Sequence, residues 1–251
     1  MSDLAATYIG HATSLVSAGS SRVLTDPLLR GSLMGLLRRR HAEPALGSEP
    51  LDAVLISHVH HDHLDLPSLR RLPEGTPIVV PFGAGRLLRR KGFERVEEVG
   101  VGDRLRFGAL EVEVTPAVHI AVRRGAQRSP ALGYLIGDGR ANAYFAGDTE
   151  LFAGMADLAG RVDLALLPIW GWGPTLGPGH MNPEQAAEAV GMLRPRRAVP
   201  IHWGTYSPLA APRLWPWMSH GPARGFAEHA ATTSPETEVV ILEPGQSVAA
   251  G

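Results

Sequence analysis

The sequence of 251 residues contains no cysteine and a single lysine, Lys91. Without cysteine the chain has no disulfide bond, no thiolate metal ligand and no cysteine nucleophile. It has no apolar run of the roughly 18 residues that a membrane-spanning helix needs, and its start lacks a signal-peptide pattern. A formal net charge of -1 gives no general attraction to nucleic acid. We therefore expect a soluble, cytoplasmic protein that does not bind nucleic acid.

Short strand-like runs are frequent along the chain, from TYIGHATSLVSA near the start to EVVILEP near the end. Helical patterns are fewer and occur at LPSLRRL, GAGRLLRRKG, ELFAGMADLAG, NPEQAAEAVGMLR and PARGFAEHAA. No repeat or linker composition interrupts them, so we expect one domain over residues 1–251. The mixed order of strands and helices favours an α/β sandwich over an all-parallel doubly wound sheet.

The stretch LISHVHHDHLD, residues 55–65, holds four histidines and two aspartates directly after an apolar strand pattern. In an extended chain His58 and His60 project to the same side and could share one ion. Asp62 and His63 follow where the chain must turn into a helix, so they could face a second position nearby. Imidazole and carboxylate ligands suit zinc, iron or manganese. The stretch therefore predicts a metal site.

Three further residues of metal-ligand type each follow a predicted strand. His119 comes after LEVEVTPAV, Asp148 ends NAYFAGD and His202 follows RRAVPI. Each one alone is as easily a surface residue or a core histidine. Together with residues 58–63 they indicate a site for two metal ions at the carboxyl ends of strands.

These motifs resemble the metallo-β-lactamase superfamily. The resemblance runs from IGHATSLV and VLTDP through SHVHHDHLD, FAGDT and HMNPEQAAEA to PIHWGT, most of the chain. The strings GHAT, HDHLD and IHWGT are similar to the branch that contains N-acyl-phosphatidylethanolamine phospholipase D and the L-ascorbate-6-phosphate lactonase relatives. The resemblance implies a four-layer αββα sandwich with its metals at one edge, where the two sheets open.

The resemblance also implies a ligand set and a reaction. One metal would be held by His58, His60 and His119, the other by Asp62, His63 and His202, and Asp148 would bridge them. The ions would be two divalent cations, zinc first, with manganese or iron as alternatives. A hydroxide shared by two such ions can attack a substrate whose oxygen the same ions polarise. Asp62 would orient the hydroxide as well as bind metal.

Four other residues are candidates for supporting roles. Asp26 and Asp65 are the acidic residues best placed by sequence to fix imidazole tautomers, although Asp26 in TDPLL also fits a plain turn. His11 in GHAT has either a structural role or a place near the metals. His180 precedes a helix whose free N–H groups could bind an anionic substrate, or it is only a neighbour of the helix cap.

The remaining histidines have no supporting pattern. His61 would point away from His58 and His60 in an extended chain, so we expect no metal there. His41, His220 and His229 are expected at the surface.

Three loops bear on the substrate and partners. PIWGWGPTLGPGH and HWGTYSPLAAPRLWPW carry all five tryptophans, which form either an aromatic pocket wall or loop packing. Arg123, Arg124 and Arg128 favour an anionic small molecule if they point inward, or form a solvated loop. Residues 28–40 join leucines to arginines and could be a pocket lid, a membrane contact of the basic amphipathic type, or an insertion packed on the domain.

Three classes of function follow. The first is hydrolysis of a phosphodiester by a dinuclear metal centre. The second is hydrolysis of a lactone or carboxylic ester by the same chemistry. The third is a non-hydrolytic iron or metal-binding protein, or a nuclease, which would usually need an added domain or a basic channel. The oligomeric state has no signal in the sequence.

Overall fold

The computed structural model describes residues 2–42, 46, 49–123 and 129–251, and within them it contains two seven-stranded sheets and one three-stranded sheet. The first sheet comprises β1 (Ala5–Gly10), β2 (Thr13–Ala18), β3 (Ser21–Thr25), β6 (Ala53–Leu55), β7 (Ile78–Pro81), β8 (Val96–Val99) and β17 (Ser247–Ala249). The second comprises β9 (Arg104–Phe107), β10 (Leu110–Pro116), β11 (Leu132–Gly137), β12 (Asn142–Phe145), β13 (Leu164–Pro168), β14 (Arg197–Ile201) and β16 (Glu238–Val239). The small sheet comprises β4 (Ser32–Leu33), β5 (Leu37–Arg39) and β15 (Tyr206–Pro208).

The helices are short except for two. They are α1 (Leu66–Leu69), α2 (Gly85–Arg89), α3 (Pro183–Leu193), α4 (Ala211–Leu214) and α5 (Gly221–Thr233), with 3₁₀ helices at Ala153–Leu158 and Pro216–Ser219. The start of α3 matches its sequence: Asn182 and Gln185 form a reciprocal capping box, and proline occupies the first turn. No helix in the described ranges is long and apolar enough to cross a membrane.

Each large sheet is half antiparallel and half parallel. The first has the order β17-β1-β2-β3-β6-β7-β8, and its strands from β3 to β8 run parallel. The second has the order β16-β14-β13-β12-β11-β10-β9, and its strands from β12 to β16 run parallel. The carboxyl ends of the parallel strands meet at one edge of each sheet, which is where loops gather functional side chains.

Side chains alternate along the strands between an inner and an outer core. Val23, Leu55 and Leu166 belong to the core between the two sheets. Leu24 and Val54 point outward instead and pack with leucines of α1 and α2. On the second sheet the outward side chains pack against α3 and α5. Three apolar layers between four layers of secondary structure confirm the predicted αββα sandwich.

Several elements differ from the sequence predictions. TYIGHATSLVSA forms two strands, because the chain turns at Gly10 and His11, both with positive φ. ELFAGMADLAG forms a 3₁₀ helix instead of an α-helix, with glycine inside it, and EVVILEP pairs over only two residues. The edge strands β8 (VEEV) and β9 (RLRF) were not predicted, because half of the residues in each are charged.

Residues 28–40 do not form an amphipathic helix. They form the β4–β5 hairpin, whose turn has positive φ at Met34 and Gly35. β5 pairs in turn with β15, so the segment belongs to a small sheet. Glycine at 31 and 35 interrupts the helical pattern and suits the hairpin turn.

Candidate metal centre

The predicted metal ligands converge at the edge where the parallel strands end. His58 follows β6, and His60, Asp62 and His63 lie in the turns that lead into α1. His119, Asp148 and His202 follow β10, β12 and β14 of the other sheet. The site therefore lies between the two sheets, and each sheet supplies part of it.

Three imidazole nitrogens form a first group. The Nδ1 atom of His60 lies 3.0 Å from Nε2 of His58 and 3.1 Å from Nε2 of His119. A tetrahedral zinc ion with Zn–N bonds of about 2.05 Å needs nitrogens about 3.3 Å apart. The three histidines thus have nearly the spacing of ligands to one ion.

A second group lies beside the first. His63 Nε2 and His202 Nε2 are 3.2 Å apart, and Asp62 Oδ2 lies 3.8 Å and 3.6 Å from them. His11 joins this group, because its Nε2 atom lies 3.0 Å from the same carboxylate oxygen.

Asp148 lies between the two groups. Its Oδ2 atom is 3.0 Å from His63 Nε2 and 3.8 Å from His58 Nε2, and its Oδ1 atom is 3.4 Å from His202 Nε2. His180 approaches from the solvent side, with Nε2 3.2 Å from Asp148 Oδ2. Asp148 thus contacts members of both groups.

Most of these imidazoles are held from behind through their second nitrogen. His63 Nδ1 lies 2.7 Å from Asp26 Oδ2, and His58 Nδ1 lies 3.0 Å from Ser57 Oγ. His119 Nδ1 donates to the carbonyl of Gly179 at 2.7 Å. His202 Nδ1 donates to the carbonyl of Trp170 at 2.9 Å. Such contacts fix the tautomer, so that Nε2 faces the metal position. Ser57, Gly179 and Trp170 had not been recognised from the sequence. Only Ser57 carried a signal, its place just before His58.

Asp26 and Asp65 have different roles. Asp26 accepts hydrogen bonds from the backbone and hydroxyl of Ser57 and contacts His63, as expected of a residue that orients a ligand. Asp65 instead caps α1 through Ser68 and pairs with Arg30 at 2.9 Å. The prediction that Asp65 fixes an imidazole is therefore wrong; a helix that starts three residues after His63 uses this carboxylate as its N-cap.

His11 is part of the centre. It is buried, its backbone N–H donates to Thr205 Oγ1, and its carbonyl accepts from the N–H of His202. Its contact with Asp62 leaves that carboxylate one fixed orientation. The sequence left two roles of His11 open, a structural one and one near the metals. The structure shows that His11 combines the two.

The backbone is strained at three of these residues. His11, Asp26 and His202 have φ values of 57°, 36° and 62°, in a region that side-chain-bearing residues seldom adopt. Gly179 is constrained in another way, since a Cβ atom there would lie 2.6 Å from Nδ1 of His119. The positions of these side chains are thus imposed by the surrounding packing.

Burial and neighbouring charges shift the pKa values of the histidines and of Asp148 at the centre. Burial lowers the pKa of His11 and His119 to about 4, and burial also lowers the pKa of His58. Burial alone would raise the pKa of Asp148, but His202 and His63 hold it well below the usual range. Burial alone would lower the pKa of His63, yet Asp148 and the other nearby carboxylates raise it. The carboxylates therefore favour a positive charge among these imidazoles, whether a proton or a metal ion carries it.

The residues present fit a pair of divalent cations. Asp148 Oδ1 is buried and makes no hydrogen bond among the described residues, although a carboxylate in that position needs a partner. The facing nitrogens of His58, His60 and His119 cannot all be satisfied by protons between them. A cation in each group would satisfy these atoms, and the nitrogen and oxygen donors suit zinc, manganese or iron.

The other predicted residues lie around this cluster. His61 is exposed, as are His41, His220 and His229. Arg123 donates to the carbonyls of Val59 and Leu64, so it braces the ligand loop and does not point freely inward. Arg124 and Arg128 lie outside the described residues.

The tryptophans are divided between core and surface. Trp203 is buried, Trp170 and Trp217 contact each other edge to face at 5.4 Å, and Trp172 is partly exposed. Loop packing therefore accounts for part of the set. Trp170 and Trp172 lie on the loop after β13 beside the centre, and Trp217 lies in the 3₁₀ helix Pro216–Ser219.

Comparisons with known proteins agree with this architecture. The beta-lactamase superfamily domain model matches residues 21–203. A UPF0173 metal-dependent hydrolase from Thermococcus kodakarensis is 31% identical, over 96% of this chain and 97% of that protein. Igni18, a metallo hydrolase from Ignicoccus hospitalis, has a TM-score of 0.73 at 25% identity and covers 98% of this chain and 97% of its own.

A further solved structure shows that the fold is shared more widely. CmlA, a diiron beta-hydroxylase from Streptomyces venezuelae, has a TM-score of 0.72 at 22% identity, covering 98% of this chain and 54% of its own. That likeness concerns the fold alone. The match over residues 21–203 and the relative at 31% identity carry more weight, and they place the chain in the metallo-β-lactamase superfamily of metal-dependent hydrolases.

Proposed function

We propose that the protein is a dinuclear metal-dependent hydrolase that acts on a phosphodiester, with zinc as its metal. The observation that carries the proposal is the position of Asp148, whose two oxygens contact histidines of both groups. Two divalent cations held there would supply a hydroxide nucleophile at neutral pH and polarise a substrate oxygen. The ligands would be His58, His60 and His119 on one side, Asp62, His63 and His202 on the other, and Asp148 between them.

The chain's own residues supply position and a proton. His11 contacts Asp62 at 3.0 Å and so holds this carboxylate in one orientation toward the reacting region. His180 lies at the solvent side of the centre, and its Nδ1 atom is 3.0 Å from the carbonyl of Pro178. That contact keeps a proton on Nδ1. Nε2 then faces Asp148 and the substrate side, where a protonated imidazole can donate to a leaving oxygen.

His180 also supports the proposal that the substrate is anionic. Burial alone would lower the pKa of His180, but its contact with Asp148 raises it. The Nε2 atom of His180 lies beside the centre, 3.2 Å from Asp148 Oδ2, where an N–H group can donate to a phosphoryl oxygen. This position supports a phosphodiester as the substrate. The start of α3 is a weaker candidate for this role, because the Asn182 cap already accepts from the Gln185 N–H.

The proposal extends to family branch and location. The GHAT, HDHLD and IHWGT strings support the branch of the phospholipase D and sugar-phosphate lactonase relatives, and the composition supports a cytoplasmic location. The partner would be a small anionic molecule.

The test is a paired hydrolysis assay of zinc-, manganese- and iron-loaded protein on a chromogenic phosphodiester and on a lactone. Each reaction has a chelated control. Chelator-sensitive turnover of the phosphodiester, reduced in His180→Ala with bound metal retained, supports the proposal. Turnover of the lactone alone contradicts it in favour of a lactonase, and activity on neither favours a non-hydrolytic metal protein.

A further inference from the structure

The small three-stranded sheet forms a separate surface beside the metal centre. We call residues 27–42 and 203–219 the hairpin platform; they include β4, β5, β15 and α4. The second segment starts directly after His202, so the platform begins at the edge that carries the metal ligands. Neither segment is needed to complete the two large sheets.

The tip of the hairpin platform exposes large apolar side chains. β5 and β15 pair in the register Leu37 to Pro208, so Leu36 and Leu209 are the next neighbours along the pairing. These two leucines are 72% and 77% exposed. The platform contributes five of the twelve exposed large apolar side chains in the described residues, namely Met34, Leu36, Leu209, Leu214 and Trp217. Such a concentration of exposed apolar surface usually marks a contact site.

The charge of the hairpin platform is of one sign. Its two segments contain five arginines and no aspartate or glutamate, whereas the whole chain has 24 basic and 25 acidic residues. Arg38, Arg40 and Arg213 are exposed. The hairpin platform therefore presents to solvent both an apolar tip and exposed guanidinium groups.

The platform is fixed rigidly to the centre. Arg39 donates to the carbonyl of Ile9 at 2.6 Å and to that of Leu28 at 3.1 Å, which ties β5 to the turn before His11. The Tyr206 ring lies 5.8 Å from the His11 ring, edge to face. A partner bound to the platform would therefore sit at a fixed place relative to the metal ligands.

We propose that the hairpin platform docks on the surface of an anionic lipid bilayer. Exposed leucine, methionine and tryptophan insert at the boundary between headgroups and acyl chains, while arginines bind anionic headgroups. A second copy of the chain is a poorer occupant, because two platforms would bring arginines together with no carboxylate to pair with them. The docking goes beyond the proposed hydrolysis and does not depend on it, so either can fail alone.

The test measures co-sedimentation of the full chain with phosphatidylcholine vesicles, with and without phosphatidylglycerol. One variant, R38Q/R40Q/R213Q, removes the exposed positive charge, and L36S/L209S removes the apolar tip. Matched controls are R86Q/R90Q/K91Q, which removes three exposed positive charges on and after α2, and Phe82→Ser, which removes an exposed apolar side chain after β7. Deletion of residues 28–40 is unsuitable, since it removes Arg39 and its contacts.

The expected result is binding to the anionic vesicles only. The triple arginine variant should bind about a hundredfold more weakly, at about fivefold for each arginine. L36S/L209S should lose about tenfold or more, and both controls should bind like the wild type. Binding that is absent, equal on neutral vesicles or lost equally in the controls overturns the proposal. So does a dimer in light scattering that L36S/L209S dissociates, because it would identify a second copy as the occupant.

Discussion

Asp26→Asn is the substitution that tests most directly how the metal ligands are oriented. Asp26 Oδ1 accepts from the Ser57 N–H at 2.7 Å, and Oδ2 lies 2.7 Å from His63 Nδ1. Asparagine can adopt the positive φ at this position, and its carbonyl oxygen can keep the Ser57 bond. Its amide group would then face His63 Nδ1, which must become an acceptor. The proton moves to Nε2, the atom that faces the metal position.

The expected effect can be estimated in two ways. A hydrogen bond to a charged group contributes about 1.5–3 kcal/mol. Loss of a residue that orients a metal ligand lowers metal affinity about 10- to 100-fold, or about 1.4–2.8 kcal/mol. The two estimates agree, so Asp26→Asn should bind zinc about 10- to 100-fold more weakly in a competition titration against a chromophoric chelator.

Asp65→Asn provides the matched control. Asp65 is also a buried aspartate close to the ligand loop, but its partners are Ser68 and Arg30. This variant should lose some thermal stability and keep its zinc affinity within about twofold, since none of its contacts involves a ligand. If Asp26→Asn keeps wild-type zinc affinity, or if both variants lose affinity equally, the reasoning about the His63 tautomer is refuted.

The remaining predictions concern the bridging residue, the exposed histidine, the metals and pH. Asp148→Ala should retain neither metal ion in elemental analysis after gel filtration, and two tightly bound ions in this variant would disprove the bridging position of Asp148. His61→Ala should retain both metal ions. Zinc at 100 times its dissociation constant should raise the free energy of unfolding by about 2.7 kcal/mol. This corresponds to a rise in Tm of about 5–10 °C, measured by calorimetry. A chelator should abolish the rise in Tm. In metal-free protein, the pKa of His11 is lowered from 6.5 to about 4, so the unfolded chain takes up the proton first as pH falls. The free energy of unfolding should therefore fall by up to about 3 kcal/mol as the pH falls from 6.5 to about 4. The fall should be smaller in His11→Asn, and an equal fall in both proteins would contradict the assignment of this loss to His11.

Much of the centre could be predicted because its ligands are close in sequence or follow recognisable strands. His58, His60, Asp62 and His63 converge as predicted, and the two nitrogens of His58 and His60 lie 3.0 Å apart. β6 ends at Leu55, and the chain turns only after His60, where the Leu64 N–H bonds to the His60 carbonyl. That turn brings Asp62 and His63 to the second group.

The rest depends on contacts between distant segments. His11 and Asp62 are 51 positions apart, and only the β1–β2 turn and the pairing within the first sheet bring them together. Backbone carbonyls such as those of Trp170 and Gly179 carry no residue-type signal at all, since every residue has one. Positive φ at Asp26 and His202 likewise has no signal in the sequence, because neither residue is the glycine that such a conformation favours.

The distribution of the candidate ligands over the two sheets would give bound metal ions a mechanical role. His58, His60, Asp62 and His63 belong to the amino-terminal half of the sandwich, and His119, Asp148 and His202 belong to the other half. A cation bound by both sets would cross-link two halves that share an apolar core. Removing it should loosen the sandwich first at this edge, as faster amide hydrogen exchange at the ends of β6 and β12, while the opposite edge stays closed.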